Sequence, residues 1–186
     1  MSDPSIRRDA QGSGLVLVGY RGTGKSTVGR LLAARTGRPF VDADVQIEAR
    51  AGRSIRTIFE ESGEPAFRDW EERVLREVAE GRPGAVLATG GGAILREANR
   101  RTLRAFGMVV WLRAEPSVLA RRLEADARTR AARPALTAAG ALAEIADVLT
   151  ARTPLYEAVA DAWVETEGKS IAEVVDAILE LRPQAP

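Results

Sequence analysis

The most constraining feature of the chain is a glycine-rich octet at residues 19–26, Gly-Tyr-Arg-Gly-Thr-Gly-Lys-Ser. It follows an apolar run at 15–18 and precedes a stretch, 28–36, in which apolar residues recur with helical spacing. A strand, a glycine loop and a helix start in this order predict a phosphate loop, whose backbone N–H groups and helix N-terminus surround phosphate oxygens. The alternative is a glycine-rich turn that only caps an ordinary helix.

The residue types of this phosphate loop (residues 19–26) predict the cofactors. Lys25 is placed to reach the β- and γ-phosphates of a nucleoside triphosphate, and the Ser26 hydroxyl to ligate Mg²⁺. We therefore expect ATP and Mg²⁺ as cofactors. The residues expected to bind ATP here are Gly22, Thr23, Gly24, Lys25, Ser26 and Thr27.

Composition excludes several other classes of function. The 186 residues suffice for one α/β domain, and with a net charge of +1 nothing argues for a nucleic-acid or membrane surface. The chain lacks 18 consecutive apolar residues, and its polar first residues lack the apolar core of a signal peptide. Cysteine and histidine are both absent, so a general base must be Asp, Glu, Lys or Tyr. We expect a cytoplasmic monomer that acts on small molecules.

Predicted strands and helices alternate along the chain, which favours an α/β fold of three layers, with a central five-stranded parallel sheet and helices on both faces. We expect a single domain at 14–181 between a disordered tail at 1–13 and a C-terminal tail at 182–186, with a mobile lid at about 124–137. The predicted strands are 15–18, 40–42, 85–88, 108–112 and 161–166. The predicted helices are 25–36, 45–51, 55–61, 65–79, 96–106, 116–124, 138–151 (which could continue after Pro154) and one that begins at 171.

Two acidic residues follow the second strand, at the sheet edge where such folds bind ligands. Of Asp42 and Asp44, one could lie near Mg²⁺ and the other near an acceptor hydroxyl, or either could cap the next helix. Neither 85–88 nor 108–112 ends in an aspartate. This argues against motor and switch ATPases and leaves Asp42 as the best candidate for the Mg²⁺ side.

A triple-glycine turn, Gly90, Gly91 and Gly92, follows the third strand. Glycine permits positive φ and close backbone approach, which suits N–H groups that bind a substrate oxygen. The alternative is a tight turn without a ligand.

Spacing alone leaves the roles of three arginines open. Arg68 has i,i+3 and i,i+4 acids in Glu71 and Glu72, which favours a surface ion pair, although Arg68 could instead bind a carboxylate. Arg133 lies in the predicted lid, where an arginine could neutralise γ-phosphate charge, but two other lid arginines compete with it. Arg152 could face the cleft or the solvent.

Taken together, these motifs resemble the shikimate kinase family of nucleoside-monophosphate-kinase-like P-loop proteins, over about 14–181. The matching segments are the phosphate loop with Thr27-Val28-Gly29, the run at 40–44, Gly63-Glu64 with Phe67-Arg68 and Glu71, the triple-glycine turn, Arg133-Pro134, and Arg152 with Pro154-Leu155-Tyr156.

The resemblance implies ATP-dependent phosphorylation of the shikimate 3-hydroxyl, a step toward chorismate and the aromatic amino acids. Asp44 is similar in position to the residue that holds the acceptor hydroxyls and serves as base, and Glu71 to an acid that orients Arg68. On the substrate side, the resemblance implies that Arg68 and Arg152 bind the shikimate carboxylate and that the backbone of Gly90, Gly91 and Gly92 contacts the substrate. On the nucleotide side, it implies that Arg133 contacts the γ-phosphate and that the loop at 167–169, which includes Lys169, contacts adenine. It also implies that Ser26 and, through water, Asp42 lie on the Mg²⁺ side.

The lid departs from the family pattern. It has Arg133-Pro134-Ala135-Leu136 where the family usually has Arg-Pro-Leu-Leu. The segment 123–132 is also a few residues longer than the family pattern and is rich in alanine and arginine. The arginine that stacks on adenine is therefore open among Arg121, Arg122, Arg128 and Arg130.

Two rival functions stay open. One is another small-molecule P-loop kinase, specific for gluconate or a nucleotide. The other is a nucleotide-binding regulatory module that has lost catalysis, which the intact Lys25, Ser26, Asp44 and Arg133 argue against.

Overall fold

The computed structural model describes residues 14–125 and 138–181. Five parallel strands form one sheet in the order β2-β3-β1-β4-β5, as the sequence predicts in number and direction. The strands are β1 (Gly14–Val18), β2 (Phe40–Asp42), β3 (Val86–Ala88), β4 (Gly107–Arg113) and β5 (Ala162–Glu165). The helices are α1 (Lys25–Thr36), α2 (Ala43–Ala51), α3 (Ile55–Gly81), α4 (Glu97–Phe106), α5 (Pro116–Ala125), α6 (Ala138–Val159) and α7 (Ile171–Glu180).

Strand β1 lies at the centre of the sheet and is fully buried. Its side chains alternate between the two faces. Val16 and Val18 pack into a core shared with α2, α3, α4 and α6, whereas Leu15 and Leu17 pack against α1 and α7. The expected three-layer arrangement is therefore confirmed, and it brings the ends of β1, β2 and β3 to one edge.

The helix boundaries differ from the sequence prediction in two places. Helix α2 begins at Ala43, directly after β2, because the Asp42 side chain accepts a hydrogen bond from the Asp44 backbone N–H and caps the helix. Element α3 ends at Gly81, two residues beyond the predicted end at 79, and its two halves are separated at Gly63, whose φ of 75° and ψ of 176° are not helical, so the predicted break between 55–61 and 65–79 is confirmed.

Two other regions bear on the predictions. Helix α6 continues through Pro154 to Val159, which is the longer of the two alternatives for the helix predicted at 138–151. None of the helices in residues 14–125 and 138–181 has the length and apolarity that a membrane crossing requires. Both predicted tails and most of the predicted lid, including Arg133, lie outside the described residues.

Candidate active site

The phosphate loop joins β1 to α1 at the carboxyl edge of the sheet. Gly22 and Gly24 have φ values of 82° and 90°, a backbone conformation that residues with a Cβ rarely adopt. Gly24 is the N-cap of α1 and has no side chain to bond the first N–H groups of the helix. These N–H groups and the positive end of the helix dipole are therefore available to bind an anion, as a phosphate loop requires.

Lys25 lies inside this loop. Its Nζ donates hydrogen bonds to the carbonyls of Gly19 (2.7 Å) and Tyr20 (2.8 Å), and the residue is only 8% exposed. Burial lowers the pKa of Lys25 to about 8, although Asp44 and Asp42 oppose the change. A nearby phosphate would favour the charged form of this amine.

Ser26 and Asp42 are joined directly. The Ser26 hydroxyl donates a 2.6 Å hydrogen bond to Asp42 Oδ2, while Asp42 Oδ1 accepts from the Asp44 N–H at 3.1 Å. Asp42 thus caps α2 and also lies beside the phosphate loop. A hydroxyl and one carboxylate are oxygen donors that fit Mg²⁺, which usually takes one or two protein ligands and keeps substrate phosphates and water. The described residues contain no cluster of three or more acids that would bind a metal by itself.

Asp44 faces the triple-glycine turn. Its Oδ1 lies 3.0 Å from the position that a Cβ on Gly90 would occupy, and Oε1 of Glu71 lies 3.1 Å from the same point. Burial raises the pKa of Asp44, the Asp42 charge raises it further, and Lys25 opposes this. A buried carboxylate with a raised pKa is suited to act as a general base.

The expected surface ion pair of Arg68 is wrong. Arg68 Nη1 donates to Glu71 Oε2 at 2.8 Å, and the Glu71 side chain is 1% exposed. A second donor, Nη2, bonds Glu64 at 2.8 Å, whereas Glu72 pairs with Arg96 instead. Arg68 therefore lies against the core, because the face of α3 that carries Glu71 packs inward.

One carboxylate oxygen of Glu71 is buried without a hydrogen bond to any of the described residues. This oxygen is Oε1. Burial raises the pKa of Glu71, although the adjacent Arg68 opposes this.

The glycines of the triple-glycine turn allow neighbouring side chains and backbone to approach the turn closely. None of the three has a positive φ, so the predicted conformational reason is wrong. A Cβ on Gly92 would lie 2.5 Å from the guanidinium nitrogens of Arg68. From α6, Arg152 Nη1 donates to Gly91 O at 3.1 Å, and the Tyr156 hydroxyl donates to the same oxygen at 2.6 Å. The structure thus brings Asp44, Arg68 and Arg152 to one three-residue turn.

A cavity of about 190 Å³ borders the phosphate loop at Gly22, Thr23 and Gly24. Lys169 lines it together with Arg122, whose Nη1 bonds Gly22 O (3.3 Å) and Thr166 Oγ1 (2.9 Å). Of the four arginines that the sequence leaves open for adenine, Arg122 lines this cavity, Arg121 is exposed, and Arg128 and Arg130 lie outside the described residues.

Comparison with known proteins decides the family. The family model described as shikimate kinase matches residues 21–182. The chain belongs to the shikimate kinase family. Its similarity to the shikimate kinase of Rhodopirellula baltica is 46% identity over 171 residues, which cover 92% of this chain and 91% of that protein.

Solved structures agree with this family. The shikimate kinase of Acinetobacter baumannii in complex with shikimate is 40% identical, with a TM-score of 0.82, over 91% of this chain and 92% of that one. A gluconokinase from Sinorhizobium meliloti is 20% identical, with a TM-score of 0.59, over 91% of both chains. That second likeness shows the fold alone, so membership of the shikimate kinase family rests on the closer matches.

Proposed function

We propose that this chain transfers the γ-phosphoryl group of ATP to the 3-hydroxyl of shikimate, releasing ADP and shikimate 3-phosphate. The observation that carries the proposal is the meeting of Asp44, Arg68 and Arg152 at the triple-glycine turn, beside a phosphate loop, in a member of the shikimate kinase family. Shikimate offers a carboxylate and ring hydroxyls. Two arginines and one carboxylate are the groups that would bind them.

The phosphate side positions ATP. The N–H groups of the phosphate loop and Lys25 bind the β- and γ-phosphates, and Ser26 with Asp42 would hold Mg²⁺. When bound, Mg²⁺ supplies positive charge beside the phosphate oxygens. Lys25 keeps its charge there because phosphate replaces the loop carbonyls as its partner.

The acceptor side orients the alcohol. Arg68 and Arg152 bind the carboxylate, and Glu71 holds Arg68 in place through its 2.8 Å ion pair. Asp44 accepts the proton of the 3-hydroxyl as that oxygen forms a bond to the γ-phosphorus. The bond from the γ-phosphorus to the bridging oxygen breaks, and ADP leaves. Positioning and charge neutralisation supply most of the catalysis in such a reaction.

Arg122 and Lys169 line the cavity proposed for adenine, next to Gly22 of the phosphate loop. A guanidinium plane can stack on a base, and its bonds to Gly22 and Thr166 fix that plane. Arg133 remains our prediction for the lid arginine. A cytoplasmic location and a monomeric state are also predictions.

The test is ADP release in the presence of shikimate, gluconate or nucleoside monophosphates, with Mg²⁺ and ATP. We expect release that depends on shikimate and exceeds release with the other acceptors at least tenfold. Equal or faster release with gluconate would support the rival sugar-acid kinase. Binding of ATP without turnover on any acceptor would support the regulatory module.

A further inference from the structure

Tyr156 makes a polar contact that its sequence position does not reveal. It lies one helical turn after Arg152 on α6, is fully buried, and stacks on Trp111 of β4 with ring centroids 5.2 Å apart. Its sequence context predicts only packing. The ring could be a phenylalanine for that purpose, because a buried hydroxyl costs free energy unless it is hydrogen-bonded.

The hydroxyl of Tyr156 is bonded to the site. It donates to Gly91 O at 2.6 Å, and Arg152 donates to the same oxygen at 3.1 Å. Residues four apart lie on one face of a helix, so α6 contacts the triple-glycine turn through these two side chains together. Burial raises the pKa of Tyr156, so the hydroxyl stays a neutral donor at physiological pH.

The direction of one carbonyl fixes a whole peptide unit. In a trans peptide the Gly91 C=O and the Gly92 N–H point in opposite directions. The bond from Tyr156 therefore turns the Gly92 N–H away from α6. If Arg152 rotates to bind a carboxylate, its hydrogen bond to Gly91 O weakens. Tyr156 is then the side chain of α6 that still donates a hydrogen bond to Gly91 O.

We infer that the hydroxyl of Tyr156 is a positioning group, which holds the triple-glycine turn against α6 and so sets the direction in which Arg152 meets the substrate carboxylate. This inference rests on the proposed function for the role of Arg152. The anchoring of the turn does not depend on the substrate.

The first experiment compares Tyr156→Phe with wild type in steady-state kinetics. Losing one buried hydrogen bond changes affinity about fivefold to tenfold, so KM for shikimate should rise by that factor. The KM for ATP should stay within about twofold, because the hydroxyl donates to Gly91 O of the turn and not to a residue that the proposal assigns to ATP. In an Arg152→Ala background the same substitution should change KM less than twofold, since no guanidinium remains to be aimed.

Val159→Ala is the matched control. Val159 is fully buried on the same helix and packs in the same core, so its truncation lowers stability without removing the hydroxyl. An unchanged shikimate KM in Tyr156→Phe would overturn the inference. An equal rise in Val159→Ala, or an undiminished effect of Tyr156→Phe in the Arg152→Ala background, would do so too.

A second measurement needs no activity. The amide of Ala93 bonds Gly90 O at 3.2 Å and closes the triple-glycine turn. Its hydrogen exchange without substrate should accelerate at least threefold in Tyr156→Phe relative to Val159→Ala. If wild type fails to use shikimate but this exchange changes as expected, the proposed function is wrong and the anchoring stands. Equal exchange in both variants overturns the anchoring.

Discussion

The hydroxyl of Ser26 donates a 2.6 Å hydrogen bond to the carboxylate of Asp42. This contact joins the first turn of α1 to the N-cap of α2, 16 residues further along the chain. It places a hydroxyl and a carboxylate oxygen together beside the phosphate loop. The pair fits our proposal that these two residues hold Mg²⁺.

Asp42→Asn tests that proposal. Asparagine caps helices as well as aspartate does, so α2 should keep its start while the negative charge is lost. Mutation of a residue that holds or orients a metal typically lowers metal affinity or activity about 10- to 100-fold. The Mg²⁺ concentration for half-maximal activity should therefore rise by that order. Mg²⁺ titration of ADP release measures this, and circular dichroism checks the helix content. An unchanged Mg²⁺ dependence would contradict the assignment.

Asp44→Asn should lower turnover by about 10²- to 10⁴-fold, the range of a lost general base. Isothermal titration should find ATP affinity close to that of wild type, since Asp44 faces Gly90 and makes no hydrogen bond to the loop glycines. Asp69→Asn, at an exposed aspartate of α3, serves as the control and should keep wild-type turnover. Wild-type-like turnover in Asp44→Asn would refute its role as base.

Gly92→Ala should displace Arg68. The added Cβ would lie 2.5 Å from the guanidinium nitrogens, so the side chain must move or the turn must shift. We expect the KM for shikimate to rise at least tenfold, the ATP KM to hold, and stability to fall by about 1–3 kcal/mol, as in other overpacked sites.

Gly81→Ala is the counterpart to that variant. It lies at the end of α3, where an added Cβ meets nothing within 4 Å. It should leave the kinetics unchanged and raise stability by up to about 1 kcal/mol. If Gly92→Ala also left the shikimate KM unchanged, the close approach of Arg68 to the turn would have no role in binding.

Glu71→Gln should change how stability depends on pH. The groups that act on Glu71 are Arg68 on its own helix, Asp44 on α2 and Arg152 on α6, and burial raises its pKa above the ordinary 4.5 in spite of the arginines. Between pH 4.5 and the raised pKa, the folded state binds more protons than the unfolded state. The stability advantage of wild type over the variant should therefore fall as pH rises from 4.5.

Urea unfolding at several pH values measures this difference for Glu71→Gln. Val74→Ala, at a buried apolar position of the same helix, should lower stability by a similar amount at every pH. A wild-type advantage that grows with pH would mean that the ion pair with Arg68 outweighs burial, contrary to the expected sign.

The parts of the fold that the sequence predicts are those governed by local patterns. Strand and helix positions follow from apolar spacing, and the phosphate loop follows from a motif whose glycines must adopt positive φ. The break at Gly63 is also predictable, because glycine followed closely by Pro65 stops a helix in most contexts, and Gly63 is not helical in the structure. Here the second half resumes at once, since proline is tolerated in a first turn.

The site required tertiary information. Spacing on α3 fits Glu71 and Glu72 equally well as partners of Arg68, and only packing of α3 against the core selects Glu71. The bond from Tyr156 to Gly91 joins residues 65 positions apart, a separation at which one sequence carries no pairing signal. The sequence leaves open which arginine lines the cavity proposed for adenine for the same reason.

The position of β1 in the sheet has a consequence for biosynthesis. This strand leaves the ribosome first among the five, yet its neighbours are β3 and β4, which begin at residues 86 and 107. During translation its apolar residues must wait for both before burial is complete, and such non-local pairing is slow and open to aggregation.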